Sequence, residues 1–160
     1  QALYERHHRA LFTFLLRFLG DQSTAEDLLQ ETFLRVYLHR DTYRPSGTFC
    51  TWLFTIARNL ALDHSRHRGQ VVGEETPDYL TIPDPSPGPV EQIEGKALLV
   101  RLEGAISQLP PAQREVLLLS RFAGLKHGEI ASVTGATPAA VRVTLHRALR
   151  SLRVLLESRE

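Results

Sequence analysis

The stretch KHGEIASVTGATPAAVRVTLHRALRSLRVLL, residues 126–156, decides the fold of the C-terminal part of the chain. Ile130 and Ala131 belong to a short helix, and the following TGAT forms a tight turn. Thr137 and Pro138 then offer an N-cap and a first-turn proline for a second helix. The apolar stripe of that longer helix consists of Val141, Leu145, Ala148, Leu152 and Leu155.

Three residues in this stretch have the spacing of a helix-turn-helix motif. Ala131 is small where two helices approach, Gly135 makes the turn, and Val141 is a branched apolar anchor in the second helix. An αα-hairpin within a bundle has the same spacing, so spacing alone leaves that alternative open. The second helix also carries Arg142, Arg147, Arg150 and Arg153. These cations on its exposed face favour DNA as a ligand.

A proline-rich acidic segment divides the chain. The stretch TPDYLTIPDPSPGPVE contains five prolines, which oppose regular helix or strand pairing. Residues 69–95 contain six acidic residues and neither Lys nor Arg. The flanking parts show helical periodicity without a convincing strand pattern. We therefore expect an all-α fold with a helical bundle at residues 1–68, a flexible acidic linker at 69–95 and a helix-turn-helix domain at 96–160.

The N-terminal part has the pattern of three helices with short connections. The first ends near Gly20, because glycine suits the left-handed position that follows a helix. Ser23, with Glu26 three residues later, is a capping-box candidate for the second helix. The third helix has apolar residues at helical spacing, namely Phe49, Trp52, Leu53, Ile56 and Leu60.

One face of the second helix, in AEDLLQETFLRVY at residues 25–37, is unusual for a solvent-facing surface. Asp27, Gln30, Glu31 and Leu34 lie at i, i+3, i+4 and i+7 and therefore share one side. The residues that can pack into a core are Leu28, Leu29, Phe33, Val36 and Tyr37. A solvated acidic face is the ordinary interpretation, but the leucine in its middle indicates a docking surface.

Composition excludes several classes of protein. With 160 residues, 42% of them hydrophobic, the chain can bury the core of one domain or two small ones. The single cysteine, Cys50, rules out an intrachain disulfide and a four-cysteine zinc site, so we expect a cytoplasmic protein. No apolar run has transmembrane length, and membrane insertion is not expected. Because even position 1 lacks methionine, we expect that the N-terminus has been trimmed.

The sequence also lacks the residue patterns that are typical of catalytic and metal sites. His64 and His67 lie at i, i+3, but no third metal ligand is placed nearby. The sequence has no evident nucleophile–base pair, phosphate-binding glycine loop or carboxylate dyad. We therefore expect a non-enzyme that uses neither a metal nor another cofactor.

Taken together, three motifs resemble a sigma-70 family transcription initiation factor of the extracytoplasmic-function (ECF) type. AEDLLQETFLRVY resembles the second region of that family, and TFCTWLFTIARNLALDHSRHR resembles its melting and minus-ten segment. LPPAQREVLLLSRFAGLKHGEIASVTGATPAAVRVTLHRAL resembles its fourth region. The order of the motifs and the linker between them make the resemblance far more specific than any one motif.

The resemblance implies that the second helix docks on the clamp of the largest subunit of bacterial core RNA polymerase. Asp27, Gln30, Glu31 and Leu34 would face that partner. Carboxylates could pair there with arginines, and Leu34 could fill an apolar contact. Docking on polymerase would explain why this acidic face contains a leucine.

In the third helix, the resemblance assigns Phe49 and Trp52 to an aromatic cluster near the point of DNA melting. Their i, i+3 spacing on the apolar stripe also favours core packing. The contacts implied around the minus-ten element are Arg58, Asn59, Asp63, His64, Arg66, His67 and Arg68. Asn59 is our choice as the base-reading residue, because its amide offers a donor and an acceptor together.

In the recognition helix, the resemblance implies a surface for the minus-thirty-five element. Its residues are Thr137, Ala139, Ala140, Arg142, Val143, His146, Arg147 and Arg150. Arg142 could read guanine and Val143 could touch a thymine methyl group, whereas Arg147 and Arg150 are better placed for phosphates. The chain departs from the usual polar and basic pattern of the family at Val143, Thr144 and Leu149, so its upstream preference could be weak or unusual.

The implied function is that of an alternative sigma factor, with core RNA polymerase, promoter DNA and an anti-sigma protein as partners. The acidic linker would run through the polymerase interior and mimic nucleic-acid charge, although a plain tether also explains its prolines. Free in solution, the two domains are expected to move relative to each other or to be clamped by the anti-sigma protein. The alternatives are a stand-alone helix-turn-helix DNA-binding regulator and a sigma-like adaptor that acts only by protein binding.

Overall fold

The computed structural model describes residues 2–42, 47–68 and 89–158, except for the side chains of Arg68 and residues 89–94. Within these ranges, all regular secondary structure is helical. The elements are α1 (Ala2–Leu19), α2 (Gln22–Leu38), a 3-10 turn (Arg40–Thr42), α3 (Phe49–Arg68), α4 (Pro89–Gln108), α5 (Pro111–Arg121), α6 (His127–Thr134) and α7 (Pro138–Glu157). The expected all-α fold with two small helical domains is confirmed.

The N-terminal domain is a bundle of α1, α2 and α3, which pack pairwise against one another. Its core contains Phe14, Leu15 and Leu53, which are fully buried, and Phe54, which is 1% exposed. Phe14 meets Phe54 edge-on, with 5.7 Å between the ring centroids. The buried apolar side of each helix therefore fixes the orientation of its opposite side, where the candidate functional residues lie.

The start of α2 differs from the expected capping box. Asp21, rather than Ser23, is the N-cap, with extended backbone at φ −134° and ψ 121°. Its carboxylate accepts from the Thr24 backbone N–H at 3.2 Å and also from the Thr24 hydroxyl. The prediction for Ser23 and Glu26 was wrong because Asp21 follows Gly20, whose φ of 77° ends α1, and the chain enters the next helix at once.

The C-terminal domain consists of α4 to α7 around a core that includes Ile106, Leu118, Leu119 and Ile130. Helix α4 begins at Pro89, which lies inside the range expected to be linker. Proline at the first position of a helix costs no hydrogen bond, because that N–H has no partner within the helix. The rest of the expected linker, residues 69–88, lies outside the described residues.

The helix-turn-helix expected from the sequence is formed by α6 and α7. Gly135 has φ 76° and so makes the left-handed turn that ends α6. Thr137 is the N-cap of α7, and its hydroxyl accepts from the Ala140 N–H at 3.1 Å. Ala131 and Val141 are buried between the two helices at 6% and 1% exposure. These packing contacts hold α7 at a fixed angle to α6.

The two domains are packed directly against each other. Helix α1 contacts α4 and α5, and α3 contacts α6. Arg17 of α1 pairs with Glu103 of α4 at 3.5 Å, and its guanidinium lies 4.2 Å from the centroid of the Phe122 ring. Arg114 of α5 donates to the Phe18 carbonyl at 3.4 Å. The structure therefore shows a closed arrangement, in which the two domains are in direct contact.

Candidate docking and nucleic-acid interfaces

The predicted docking face of α2 is formed as a continuous surface. Asp27, Gln30 and Leu34 are exposed, and Leu34 shows 51% of its surface to solvent. Glu31 is partly exposed and accepts from Arg35 at 3.1 Å, one helical turn away. The opposite side of α2 is held in the bundle by Ala25 and Leu29, which are buried. The face thus presents two acidic groups, an amide and an exposed apolar side chain.

Two further residues extend this face, and sequence reasoning did not find them. Tyr37 and Leu38 are each 62% exposed at the C-terminal end of α2. Tyr37 was expected in the core, and that expectation was wrong, because its ring turns outward beneath the Arg40 guanidinium at 4.2 Å. Their spacing from Leu34, at i+3 and i+4, was the available signal. The docking face therefore has an acidic half and an apolar half.

The predicted minus-ten residues of α3 divide into exposed and enclosed groups. Asn59, Asp63, Arg66 and His67 are exposed along one side of the helix. Asp63 and Arg66 are only 4.0 Å apart and highly exposed, so their ion pair restrains neither side chain strongly. The side chain of Arg68 lies outside the described residues. An exposed amide and a neighbouring cation are thus available together on α3.

His64 is only partly exposed, in contrast to its neighbours on α3. Its Nε2 atom is buried and finds no hydrogen-bond partner among the described residues. The side chain therefore packs along the bundle instead of joining the exposed row of Asn59, Arg66 and His67.

Arg58 has a different environment from the other predicted minus-ten residues. Its Nε atom donates to the Glu115 carboxylate of α5, and Nη1 lies 3.5 Å from the Val133 carbonyl of α6. The side chains of Arg58 and Glu115 are only 20% and 10% exposed. In this closed arrangement, Arg58 is therefore used in a contact between the two domains.

The aromatic pair at the start of α3 is half-buried. The Phe49 and Trp52 rings meet edge-on with centroids 5.9 Å apart. The His7 ring of α1 lies 5.4 Å from the Phe49 ring. Phe49 also packs against the apolar core. The pair therefore packs against the core and is also partly exposed to solvent. Its position is compatible both with core packing and with a role near the point of DNA melting.

The recognition helix α7 turns all of its predicted base and phosphate contacts outward. Thr137, Ala139, Ala140, Arg142, Val143, His146, Arg147 and Arg150 are all exposed. Val141, Leu145 and Ala148 anchor the opposite side in the core. Val143, at 46% exposure, is apolar where solvent would ordinarily favour a polar residue. Leu149, one of the departures from the family pattern, packs against the core.

The ionisable groups nearest the domain boundary have perturbed titration. Hydrogen bonding to the Lys126 backbone N–H, with the Thr48 and Thr51 hydroxyls, lowers the pKa of Glu129. Burial, and then the charge of Glu129, raise the pKa of Cys50. Burial, and then Arg6, lower the pKa of His7, whose Nδ1 lies 3.6 Å from the Cys50 sulfur. Both shifts favour the neutral forms of Cys50 and His7.

Neither a metal centre nor a membrane span occurs in the described part of the chain. No three His, Cys, Asp or Glu side chains within residues 2–42, 47–68 and 89–158 converge as metal ligands. None of the described helices is both long enough and apolar enough to cross a membrane.

A helix-turn-helix with a basic outer side, next to a bundle that exposes apolar and acidic residues on α2, is typical of a DNA-binding protein that also binds another protein. Comparison with known families makes this specific. Residues 3–71 match Sigma-70 region 2, and residues 99–152 match Sigma-70 region 4. The chain belongs to the sigma-70 family, in its ECF group.

Curated relatives extend over nearly all of the chain. RNA polymerase sigma factor CarQ of Myxococcus xanthus is 37% identical over 96% of this chain and 87% of its own length. ECF RNA polymerase sigma factor SigL of Mycobacterium tuberculosis is 37% identical over 98% of this chain and 88% of its own. SigE of Mycolicibacterium smegmatis is also 37% identical over 94% of the chain, but the match spans only 59% of that relative.

Solved structures share the fold. The sigma factor RpoE of Bartonella quintana, in complex with the anti-sigma factor NepR, superposes with a TM-score of 0.81 over 98% of this chain and 95% of its own at 23% identity. CnrH, in complex with the cytosolic domain of CnrY, gives a TM-score of 0.74 over 99% of this chain and 88% of its own at 26% identity.

Proposed function

We propose that this protein is an alternative sigma factor, which binds core RNA polymerase and directs initiation at promoters with its own minus-ten and minus-thirty-five elements. The single observation that carries the proposal is the docking face of α2, exposed on a domain of the sigma-70 region 2 family. The match of the chain to both sigma-70 regions favours this proposal over a stand-alone DNA-binding regulator. In this proposal, polymerase catalyses RNA synthesis, and this chain determines which promoters are used.

The docking step uses the two halves of the α2 face. Asp27 and Glu31 would pair with arginines on the clamp of the largest polymerase subunit. Leu34, exposed by 51%, would enter an apolar contact, and Tyr37 and Leu38 would enlarge it. Such a mixture of an apolar centre and charged surroundings is typical of specific interfaces that form and dissociate.

Promoter opening would rest on α3. Bases must leave the duplex before a protein can read them as single strands, and exposed Asn59 could then bind the edge of a base. Exposed Arg66 and His67 lie about two turns from Asn59 and could hold the phosphates. Phe49 and Trp52 would offer an aromatic edge nearby. In this scheme Arg58 contributes only after it leaves Glu115.

The upstream element would be read by α7 in the major groove. Arg142 is exposed near its N-terminus and can approach guanine, while Ala140 and Val143 can contact thymine methyl groups. Arg147 and Arg150 would hold phosphates. Because Leu149 packs inward and Thr144 is partly buried, the upstream contact relies on fewer polar side chains than the family pattern provides.

The remaining parts of the proposal follow from family membership. Sigma factors are initiation factors without catalysis of their own, so the chain would turn over no substrate in the absence of polymerase. Its place of work would be the cytoplasm, where polymerase and DNA are. An anti-sigma protein is the expected inhibitor, a proposal supported by the solved complex of RpoE with NepR.

Transcription from a random-sequence promoter library tests this proposal. Core RNA polymerase is incubated with the library in the presence or absence of the chain, and transcript 5′ ends are sequenced. We expect enriched templates with a two-part upstream motif only when the chain is present. Arg142→Ala should alter the upstream half of the motif, and Asn59→Ala the downstream half. Equal transcription with and without the chain would reject the proposed function.

A further inference from the structure

The outward side of α7 has an apolar residue at its centre. Val143 is 46% exposed, whereas Val141, two residues earlier, is 1% exposed and anchors the helix in the core. Successive residues of an α-helix are about 100° apart, so Val143 lies nearly opposite the buried side formed by Val141, Leu145 and Ala148. Single exposed valines are common on protein surfaces, so the surroundings of Val143 decide what it can bind.

Hydrogen-bonding groups are sparse around Val143. From Thr137 through Thr144, all of which the structure describes, the Thr137 hydroxyl is used as the N-cap and accepts from a backbone N–H at 3.1 Å. Thr144 is only partly exposed, and the exposed side chain of Ala139 is a single methyl group. Arg142 is the exposed residue with a charged hydrogen-bonding side chain in this stretch. A base edge that meets this part of α7 is therefore read by one arginine and by apolar contact.

Cations border Val143 along the helix. Arg147 and Arg150 lie at i+4 and i+7 from Val143, and hence on the same side of α7, and both are exposed. Arg142 precedes the valine directly. Such a set of arginines suits the phosphates of a duplex better than an apolar protein surface, where their charges would lose solvent. The charge around Val143 therefore favours nucleic acid as its partner.

The apolar group that base pairs present in the major groove is the C5 methyl group of thymine. Deoxyuridine forms the same base-pairing hydrogen bonds as thymidine but lacks this methyl group. 5-Methylcytosine has a methyl group at the same C5 position, and cytosine lacks it. Contact with Val143 can therefore detect a C5 methyl group on either pyrimidine.

We propose that Val143 makes the upstream contact sensitive to pyrimidine C5 methylation, so that the chain prefers thymine at one position of its upstream element and binds more tightly when a cytosine there is methylated. This inference rests on the proposed function, because it takes α7 as the helix that enters the major groove. Burial of one methyl group against the valine corresponds to a change in Kd of about three- to five-fold.

Fluorescence anisotropy with labelled duplexes tests the proposal. A preferred site is first selected from a duplex library with a randomised centre, by binding to the full chain alone and with core RNA polymerase. The outer residues of α7 are exposed in the full chain, so no truncation is needed. Each thymine of the site is then replaced singly by deoxyuridine. We expect one position at which the replacement weakens binding about three- to five-fold. Equal binding after every replacement, or no preferred site, would overturn the proposal.

Val143→Ala connects the methyl group to this side chain. Alanine keeps an exposed helix position and favours the helix, so circular dichroism should not change. The variant should bind thymine and deoxyuridine duplexes with Kd values within about two-fold of each other. Val154→Ala is the matched control, since Val154 is 58% exposed and lies three turns further along α7. It should keep the parental difference. A full deoxyuridine penalty in Val143→Ala would show that another group detects the methyl group, and the proposal fails.

Cytosine methylation gives a second measurement with the same proteins. The thymine–adenine pair at the sensitive position is replaced by a C·G pair, with or without a methyl group at C5 of the cytosine. The parent and Val154→Ala should bind the methylated duplex about three- to five-fold more tightly, and Val143→Ala should not. Equal binding of both duplexes by the parent would contradict methyl detection.

Transcription by core RNA polymerase from templates with thymine or deoxyuridine at the sensitive position separates this inference from the proposed function. Methyl-dependent binding without initiation would support this inference and reject the sigma-factor function. Initiation that depends on the chain, with no methyl dependence in binding or in transcript yield, would support the function and reject this inference.

Discussion

Arg58 of α3 and Glu115 of α5, 57 positions apart in sequence, form an enclosed ion pair that joins the two domains. The resemblance to sigma factors implies a promoter contact for Arg58, whereas the structure places its side chain against Glu115 at the boundary between the domains. Separation of the domains would therefore release a side chain that the resemblance assigns to promoter contact.

Arg58→Met should lower the free energy of unfolding by about 1.5–3 kcal/mol, because it leaves the Glu115 carboxylate without its charged donor. Arg66→Met provides the control. The Arg66–Asp63 pair is 4.0 Å long, with side chains 77% and 70% exposed, and its loss should cost less than about 0.5 kcal/mol. Urea denaturation followed by circular dichroism measures both values, and equal costs would contradict the role given to Arg58.

The lowered pKa of Glu129 predicts that the stability of the protein depends on pH. Hydrogen bonds to the Lys126 N–H and to two threonine hydroxyls hold the pKa of Glu129 below its ordinary value of 4.5. A carboxylate with a lowered folded-state pKa contributes stability above the unfolded-state value, and loses it as the pH falls through the folded-state value. The difference in melting temperature between the parent and Glu129→Gln should therefore be constant above about pH 5 and shrink under more acidic conditions. A difference that grows on acidification would contradict this.

Asp21 and Ser23, near the start of α2, are predicted to differ in their contribution to stability. Asp21→Ala should cost about 1 kcal/mol, because the Thr24 N–H at the start of the helix loses its acceptor. Ser23→Ala, inside the first turn and exposed, should change stability by less than about 0.5 kcal/mol. Chemical denaturation of the two variants compares these costs directly, and a larger cost at Ser23 would restore the capping box expected from the sequence.

The reactivity of Cys50, the single cysteine, can be used to probe the boundary between the two domains without an added label. Its pKa is raised by burial and by the charge of Glu129 across the domain boundary. Glu129→Gln removes that charge and loosens the contact, so more thiolate forms and reacts. Alkylation by iodoacetamide at pH 7.5 should therefore be faster in this variant than in the parent. A Glu157→Gln control, at the exposed end of α7, should react at the parental rate, and a slower reaction in Glu129→Gln would contradict the arrangement.

Local features were predictable from the sequence because their causes lie within a few residues. The helix-turn-helix followed from Ala131, Gly135 and Val141, whose size and backbone preferences suit only certain positions. The all-α class and the outward side of α7 followed from periodicity. Errors occurred where two local signals compete. Asp21 and Ser23 are both good caps, and the one that meets the end of α1 was used.

Long-range features had no signal that one sequence could provide. Nothing near Arg58 indicates that Glu115 will face it, because the contact depends on how two separately formed domains meet. Tyr37 shows the same limit, since helical spacing permits either side for a residue at the end of α2. The packing of the bundle ends before Tyr37, which turns outward instead. The residues of the candidate DNA site could therefore be proposed from the sequence, but the pairing of Arg58 with Glu115 could not.

Comigration with bacterial core RNA polymerase in gel filtration tests the central claim most directly. The parent is compared with a variant that carries Asp27→Ala, Gln30→Ala and Leu34→Ala, and with an Arg153→Ala, Glu157→Ala control at the exposed end of α7. We predict that the parent and the control comigrate with polymerase and that the docking-face variant elutes alone. Absence of parental binding at low salt, or full binding by the docking-face variant, would contradict the account.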